Sequence, residues 1–382
     1  MKLLVMTLLN LDYDLNGVVV SAKEHISLVT RNRWNVVLVT PYTQPGLILN
    51  RLLFLGSALF RRTRWSWVTL INLTLKAFML IATLRQTNIK DRVLHAHDVL
   101  SAGVLLVTSS PNQLIFLQSH FHSSPWDEFQ QAGLVKENSL SKKVLRLIFH
   151  RILRHQRLRF LPTSQANKQF LGELLSVEPK VAGVIYPGIS TERFAPTTEQ
   201  PYLINVGSID SRKNQILLVD MLKELENDQM GMPLYLIGPI DSTEKLRIQK
   251  RVTELGVRSD IHFSGVMTSE KTREFMAGAQ LYIHTAHRES FGRTLVEAMA
   301  CHTPVVALDY PAVHEILDPS AIIPRNWSPA DMAQFIATLL ASPSSLADLQ
   351  QRQHQKFNLT FTEARMFNTY VKSIRSQGGY HV

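Results

Sequence analysis

Short apolar runs rich in β-branched residues alternate with helix-length segments from one end of this chain to the other, and no single motif constrains the fold as much. Such runs read as strands buried on both faces, and strands of that kind separated by helical crossovers pair in parallel. In the first half they fall at Lys2–Leu8, Asn35–Thr40, Val93–Ala96, Leu114–Leu117, Phe160–Thr163 and Val184–Tyr186. In the second half they fall at Tyr202–Val206, Leu234–Ile237, Ile261–Phe263, Leu281–His284, Pro304–Ala307 and Ala321–Ile323. Between the two sets lies 187–201, rich in Pro, Gly, Ser and Thr and short of core residues, as a linker is. With 382 residues the chain exceeds one ordinary core. The expected fold is α/β: two doubly wound domains, 1–187 and 188–358, facing each other across a ligand cleft.

A composition of 45% hydrophobic and 19% charged residues belongs to a globular chain. Its one cysteine, Cys301, excludes a disulfide framework and fits a reducing, cytoplasmic setting. The apolar start has no small-residue cleavage site, and Asp12 and Asp14 follow, so it reads as a first buried strand. A net charge of +10 calls for an acidic partner: nucleic acid, anionic lipid or a phosphorylated substrate. Zinc-finger spacing and an RRM signature are both missing, so nucleic acid is not expected. Trp65–Leu84 has the length of a membrane span but contains Asn72 and Lys76, and it fits a crossover core helix before the strand at Val93. In 141–159, Leu145, Ile148, Phe149 and Ile152 share a helical face, with Lys142, Lys143, Arg146, Arg154 and Arg157 away from it. That segment is either a core helix with a solvated basic side or a surface for anionic lipid, where each basic residue contributes about 1 kcal/mol.

Glu289 and Glu297 stand eight positions apart. The chain leaves the strand Leu281–His284, turns through Ser290, Phe291 and Gly292, and enters a helix near Thr294. One carboxylate therefore lies in the strand-to-helix loop and the other in the first turn or two of the helix. The helix N-terminus suits a phosphate. Two carboxylates beside a phosphate are unfavourable unless they bind hydroxyls, which points to a sugar nucleotide. A capping glutamate beside a solvated one is the plain alternative. Another strand ends at Gly207, with Arg212 and Lys213 before the next helix, where cations can neutralise a diphosphate.

Taken in order, these fragments resemble retaining glycosyltransferases of the GT-B fold, family 4 (glycosyl transferases group 1), from the amino terminus to about residue 340. The motifs are Glu289-Ser-Phe-Gly…Glu297-Ala-Met-Ala, Pro304-Val-Val-Ala, Glu315-Ile316, the segment Tyr186–Pro196, His95-Ala-His97-Asp98, and Gly207…Lys213-Asn214. The resemblance implies two Rossmann-like domains, with a helix in 359–382 packing back on the first. It implies that Glu289 holds hydroxyls of the donor sugar, that Glu297 holds the ribose, and that Lys213 stabilises the departing diphosphate. Phe291, Gly292, Arg293, Thr294 and Leu295 would turn backbone N–H groups to the phosphates. Gly17 would let the backbone approach the donor, and His120 would lie near the transferred sugar. No metal or cofactor is implied beyond the nucleotide-diphosphate sugar itself. The acceptor would be a glycan, a lipid-linked or a phosphorylated molecule.

Several positions depart from the family pattern. Ser208 replaces the usual Arg after the loop glycine, with Arg212 as the nearby cation. Asn16-Gly17 keeps one glycine of a pair, Pro311-Ala312 replaces Gly-Gly, and His302 stands where a glycine often ends the helix. Three other readings remain. A metal-dependent hydrolase would use His95, His97, His120 and His122, although one residue of each His-x-His pair is expected to point into the sheet. A sugar-nucleotide epimerase would need carboxylates acting as acid and base on the sugar ring. A basic, non-catalytic binding module is the third.

Overall fold

The computed structural model describes residues 1–8, 17–42, 66–192, 194 and 201–378. Asp12, Asp14, Asn16, Trp65 and most of the linker after Glu192 lie outside the described residues. The chain forms two compact units, Met1–Ile185 with Phe367–Val382, and Tyr186–Met366.

The first unit runs β1 (Lys2–Met6), α1 (Gly17–Arg31), β2 (Asn35–Val39), α2 (Ser66–Arg85), β3 (Val93–Ala96), α3 (Val99–Thr108), β4 (Ile115–Ser119), α4 (Pro125–Gln131), α5 (Leu140–Leu153), β5 (Leu158–Pro162) and α6 (Gln165–Leu175). Its sheet is parallel throughout, in the order β2-β1-β3-β4-β5. β3 and β4 are buried along their whole length, as strands covered by helices on both faces must be. Asp98 caps α3 by accepting from the Ser101 amide at 2.8 Å, and it also takes the Leu8 amide at 2.7 Å, tying the ends of β1 and β3 together.

The second unit runs β6 (Leu203–Val206), α7 (Ile216–Asn227), β7 (Leu234–Ile237), α8 (Ser242–Leu255), β8 (Ile261–Gly265), α9 (Ser269–Gly278), β9 (Leu281–His284), α10 (Arg293–Ala300), β10 (Val305–Leu308), α11 (Val313–Ile316), β11 (Ile322–Ile323), α12 (Pro329–Leu340) and α13 (Pro343–Thr360). Its sheet order is β11-β10-β9-β6-β7-β8, again parallel. A last helix, α14 (Glu363–Arg375), begins in this unit and ends in the first.

Three expectations need correction. Val184–Tyr186 forms no strand: Pro187 has no N–H, and in this stretch the Ile185 amide bonds to the Pro162 carbonyl at 2.8 Å without a ladder forming. The apolar segment around Trp67 is a helix, yet only one face of α2 enters the core. Leu73, Met79, Leu80 and Leu84 are buried, while Trp67, Ile71 and Phe78 are 53%, 59% and 64% exposed. In α5 the buried face is Leu145, Phe149 and Leu153, and Ile148 faces solvent because it lies just past the edge of that stripe. Two of the basic residues assigned to its solvated side are engaged. Lys142 pairs with Asp127 at 2.7 Å, and Arg157 donates to the Ser109 hydroxyl at 3.0 Å.

Candidate active site

In the second sheet the chain lays down β6, β7 and β8 in one direction, then returns to place β9 on the other side of β6. At such a switch point the loops leaving the two carboxyl ends diverge and open a crevice for ligand. The loop after β6 carries Ser208, Arg212 and Lys213, and the loop after β9 carries Glu289. Two bonds join these loops. The Thr285 hydroxyl donates to the Lys213 carbonyl at 2.9 Å, and the His287 amide donates to the Arg212 carbonyl at 3.1 Å.

Asp210 shapes the first loop. It accepts from the Lys213 amide at 3.0 Å and from the Ser208 hydroxyl at 2.5 Å, so Ser208 serves the turn. Gly207 has φ 153°, and a Cβ there would stand 3.1 Å from Lys213 Cε. The glycine thus leaves room for the lysine to cross the end of the strand.

The lysine crosses to reach Glu289. Its ammonium pairs directly with Glu289 Oε1, and Arg212 Nη1 lies 3.2 Å from the same oxygen. Burial by itself pushes the Glu289 carboxyl up, but Lys213 and Arg212 outweigh it and hold the group down at about 2. At neutral pH Glu289 is therefore an ionised acceptor for hydroxyl donors. It has no proton to give, so Glu289 is not the acid of an epimerase. Beneath it lies a residue that sequence reasoning missed, His284, with Nε2 3.7 Å from Glu289 Oε1. Burial first, and Lys213 next, hold this imidazole down at about 3, so it is neutral. Its only sequence signal is its place at the end of β9, ahead of the Glu289 loop.

Gly292 opens α10 with φ 108° and no capping side chain. The first-turn amides of Arg293 and Thr294 thus meet no side-chain cap from this position, whereas the Leu295 amide bonds to the Gly292 carbonyl at 3.1 Å. Phe291 is buried between Tyr186 and Phe361, and its carbonyl accepts from the Tyr310 hydroxyl at 3.1 Å. Thr294 Oγ1 accepts from Tyr282 at 2.8 Å, which fixes the first turn to the sheet. Glu297 is held away from Glu289's cations by its own partner, Arg293, at 2.8 Å. Past the helix, His302 adopts the left-handed conformation, φ 59°, that its place at a glycine position requires. Glu315 accepts from the Tyr186 hydroxyl at 2.8 Å.

Gly17 and His120 belong to the first unit. Gly17 is the first residue of α1, and His120 follows β4 with Nε2 3.5 Å from His97 Nδ1. His122 turns elsewhere, its Nδ1 3.0 Å from Glu128. His122 therefore stands apart from the cluster of His95, His97 and His120, and the four do not form the ligand set of the hydrolase reading. The expectation that one of His95 and His97 points into the sheet is also wrong. Residues two apart on a strand share a face, and the two rings stack at 4.7 Å.

Residues 190–356 match the family model described as glycosyl transferases group 1. A D-inositol 3-phosphate glycosyltransferase from Streptomyces bingchenggensis is 22% identical over 52% of this chain and 49% of its own. An MMP alpha-(1->4)-mannosyltransferase from Mycolicibacterium hassiacum is 26% identical over 56% of this chain and 54% of its own. The chain thus spans about half the length of the curated relatives it matches. Among solved structures, Anabaena HepE in complex with UDP superposes with a TM-score of 0.71 at 16% identity, covering 98% of this chain and 100% of that one. Sucrose-phosphate synthase from Thermosynechococcus elongatus superposes with a TM-score of 0.76 at 17% identity, covering 99% of each chain. The fold is that of the GT-B glycosyltransferases, two Rossmann-like parallel α/β domains.

Proposed function

We propose that the chain is a retaining glycosyltransferase of family 4 that moves a sugar from a nucleotide-diphosphate sugar to an acceptor hydroxyl. The observation that carries this reading is the ionised Glu289, held by Lys213 and Arg212 at the switch point beside the N-terminus of α10. A buried carboxylate with two cations is unlike a glycosidase pair flanking a bond. It suits a site where the cations pass to a diphosphate and the carboxylate passes to sugar hydroxyls. In the proposed step the acceptor oxygen bonds to the anomeric carbon on the face from which the diphosphate leaves. The bond from that carbon to the phosphate oxygen breaks with its electron pair, and the acceptor proton goes to the leaving phosphate. Lys213 and the α10 amides stabilise the developing charge, Glu297 takes the ribose once Arg293 releases it, and no metal is required for transfer.

Thermal unfolding with UDP-, GDP-, ADP- and dTDP-sugars tests this directly. The cognate donor at a hundred times its Kd stabilises the protein by about 2.7 kcal/mol, and Glu297→Ala removes most of that shift. A flat response to all four nucleotides sinks the proposal.

The proposal extends to a cytoplasmic enzyme resting on the inner face of a membrane, with a lipid-linked envelope acceptor. Among the described residues α2 is the helix long and apolar enough to span a bilayer, but its Leu73, Leu80 and Leu84 face belongs to the core. Its other face offers Trp67, Ile71 and Phe78 to solvent, and α5, which packs on α2, exposes Leu140 and Leu147 among Lys143, Arg151 and Arg154. Apolar anchors beside cations suit an anionic lipid surface. The protein should co-sediment with phosphatidylglycerol vesicles at low salt and lose most of that binding on Trp67→Ser with Phe78→Ser. Equal recovery with neutral vesicles, or none with either, defeats the membrane assignment.

A further inference from the structure

Four imidazoles gather at the carboxyl end of the sheet of the first unit. β3 places His95 and its successor His97 on one face, with rings stacked at 4.7 Å. α1 lays His25 across them, its ring 4.7 Å from His95 and 5.7 Å from His97. All three are buried, with at most 4% exposure. The Tyr370 hydroxyl of α14 bonds to His95 Nδ1 at 2.7 Å, and His120 Nε2 approaches His97 Nδ1 at 3.5 Å.

Both of these contacts use Nδ1. The Nε2 atoms of His95 and His97 and both ring nitrogens of His25 are buried with no hydrogen-bond partner among the described residues. One nitrogen from each ring lies within 4.8 Å of the other two. Buried polar atoms normally find partners, and those that do not call for an explanation. Each of the three rings buries at least one nitrogen without a partner, and the rings lie close enough together for one ion to answer all three.

We propose that His25, His95 and His97 form a tris-imidazole site for a divalent transition-metal ion of the zinc class, with Tyr370 orienting His95. An all-nitrogen set suits zinc, cobalt, nickel or copper and excludes magnesium and calcium, which take oxygen. A tyrosine on the second ring nitrogen of a ligand is the kind of outer partner that sets a metal-bound histidine's tautomer and angle. Zinc–nitrogen bonds of about 2.0 Å bring tetrahedral ligand atoms to roughly 3.3 Å, so separations of up to 4.8 Å close by up to about 1.5 Å on binding. The ion clamps α1 and the α14 end to β3. It takes no part in glycosyl transfer, and the inference does not rest on that activity.

The test uses the full chain purified without a polyhistidine tag. After chelator dialysis, addition of zinc should give one equivalent by elemental analysis and a higher unfolding temperature. Cobalt should give the intense visible bands of a low-coordinate site. His25→Leu, which keeps the apolar volume, should reduce zinc affinity at least a hundredfold, and His122→Ala should leave it unchanged. Should His25→Leu fail to fold, the cobalt spectrum of the unmodified chain decides: weak octahedral bands overturn the site. Substoichiometric zinc, or unchanged affinity in a folded His25→Leu, also overturns it. Nucleotide binding in the second unit, measured before and after chelation, should not change, which separates this outcome from any failure of the transferase reading.

Discussion

Lys213→Met should lower kcat about 10²- to 10³-fold, the usual loss when one preorganised donor to a developing anion is removed. The effect on stability should be nearly as large. Among the described residues Lys213 is the closest cation to Glu289, and Arg212, 3.2 Å away, is the other close one. Breaking a buried ion pair from one side costs about 3–5 kcal/mol; with Arg212 still in place the lower end of that range is expected. The carboxyl, now held at about 2, then rises as burial acts with less opposition. A folded-state value below the ordinary 4.5 means that Glu289 stabilises the native state above pH 4.5. That stabilisation is lost as pH falls from about 4.5 towards 2, and in Lys213→Met, whose folded-state value moves up towards the unfolded one, less of it is there to lose. Adding Glu289→Gln removes the stranded charge, so the double variant should unfold in more urea than Lys213→Met while remaining inactive. Urea curves at pH 7 and pH 4 with steady-state kinetics would measure this cycle. Strictly additive stability losses, or a kcat drop below tenfold, would contradict the assigned pairing.

The same pair shows how far a sequence can be read. β3, β7 and β9 have the limits expected from their apolar runs, because each is a continuous buried stretch bounded by turn residues or polar loops. Lys213 and Glu289 each stood out in the sequence as candidates from their position after a strand. Their direct contact did not, since it joins positions 76 apart through a switch point that only strand order defines. His284 and His25 were invisible for a related reason. An isolated histidine in an apolar strand or helix carries no pattern, and its meaning comes from the ring that another element brings beside it. α2 failed differently: hydropathy reports how apolar a helix is, and its two faces are both apolar, so nothing in the run distinguishes the core face from the exposed one.

Gly292→Ala should be far more damaging than the same change at Gly256. Both glycines have positive φ, 108° and 59°. At Gly256 nothing lies within 4 Å of an added Cβ, so the cost is the left-handed conformation alone, about 1–2 kcal/mol. At Gly292 the Cβ would stand 2.2 Å from the Tyr310 hydroxyl and 2.6 Å from Leu295 Cδ1. Neither neighbour can retreat freely. Tyr310 is buried and donates to the Phe291 carbonyl at 3.1 Å, and Leu295 is fully buried in the core. Backbone strain and overpacking each contribute about 1–3 kcal/mol, so the sum should exceed the Gly256 cost at least twofold. The displaced atoms are also those that aim the first turn of α10. Affinity for the nucleoside diphosphate should therefore fall at least tenfold at temperatures where the variant is still folded, with Gly256→Ala unchanged. Calorimetric titration of both variants with the nucleoside diphosphate that stabilises the unmodified chain would decide it. A folded Gly292→Ala binding as tightly as Gly256→Ala would show that the α10 terminus does not hold the phosphates.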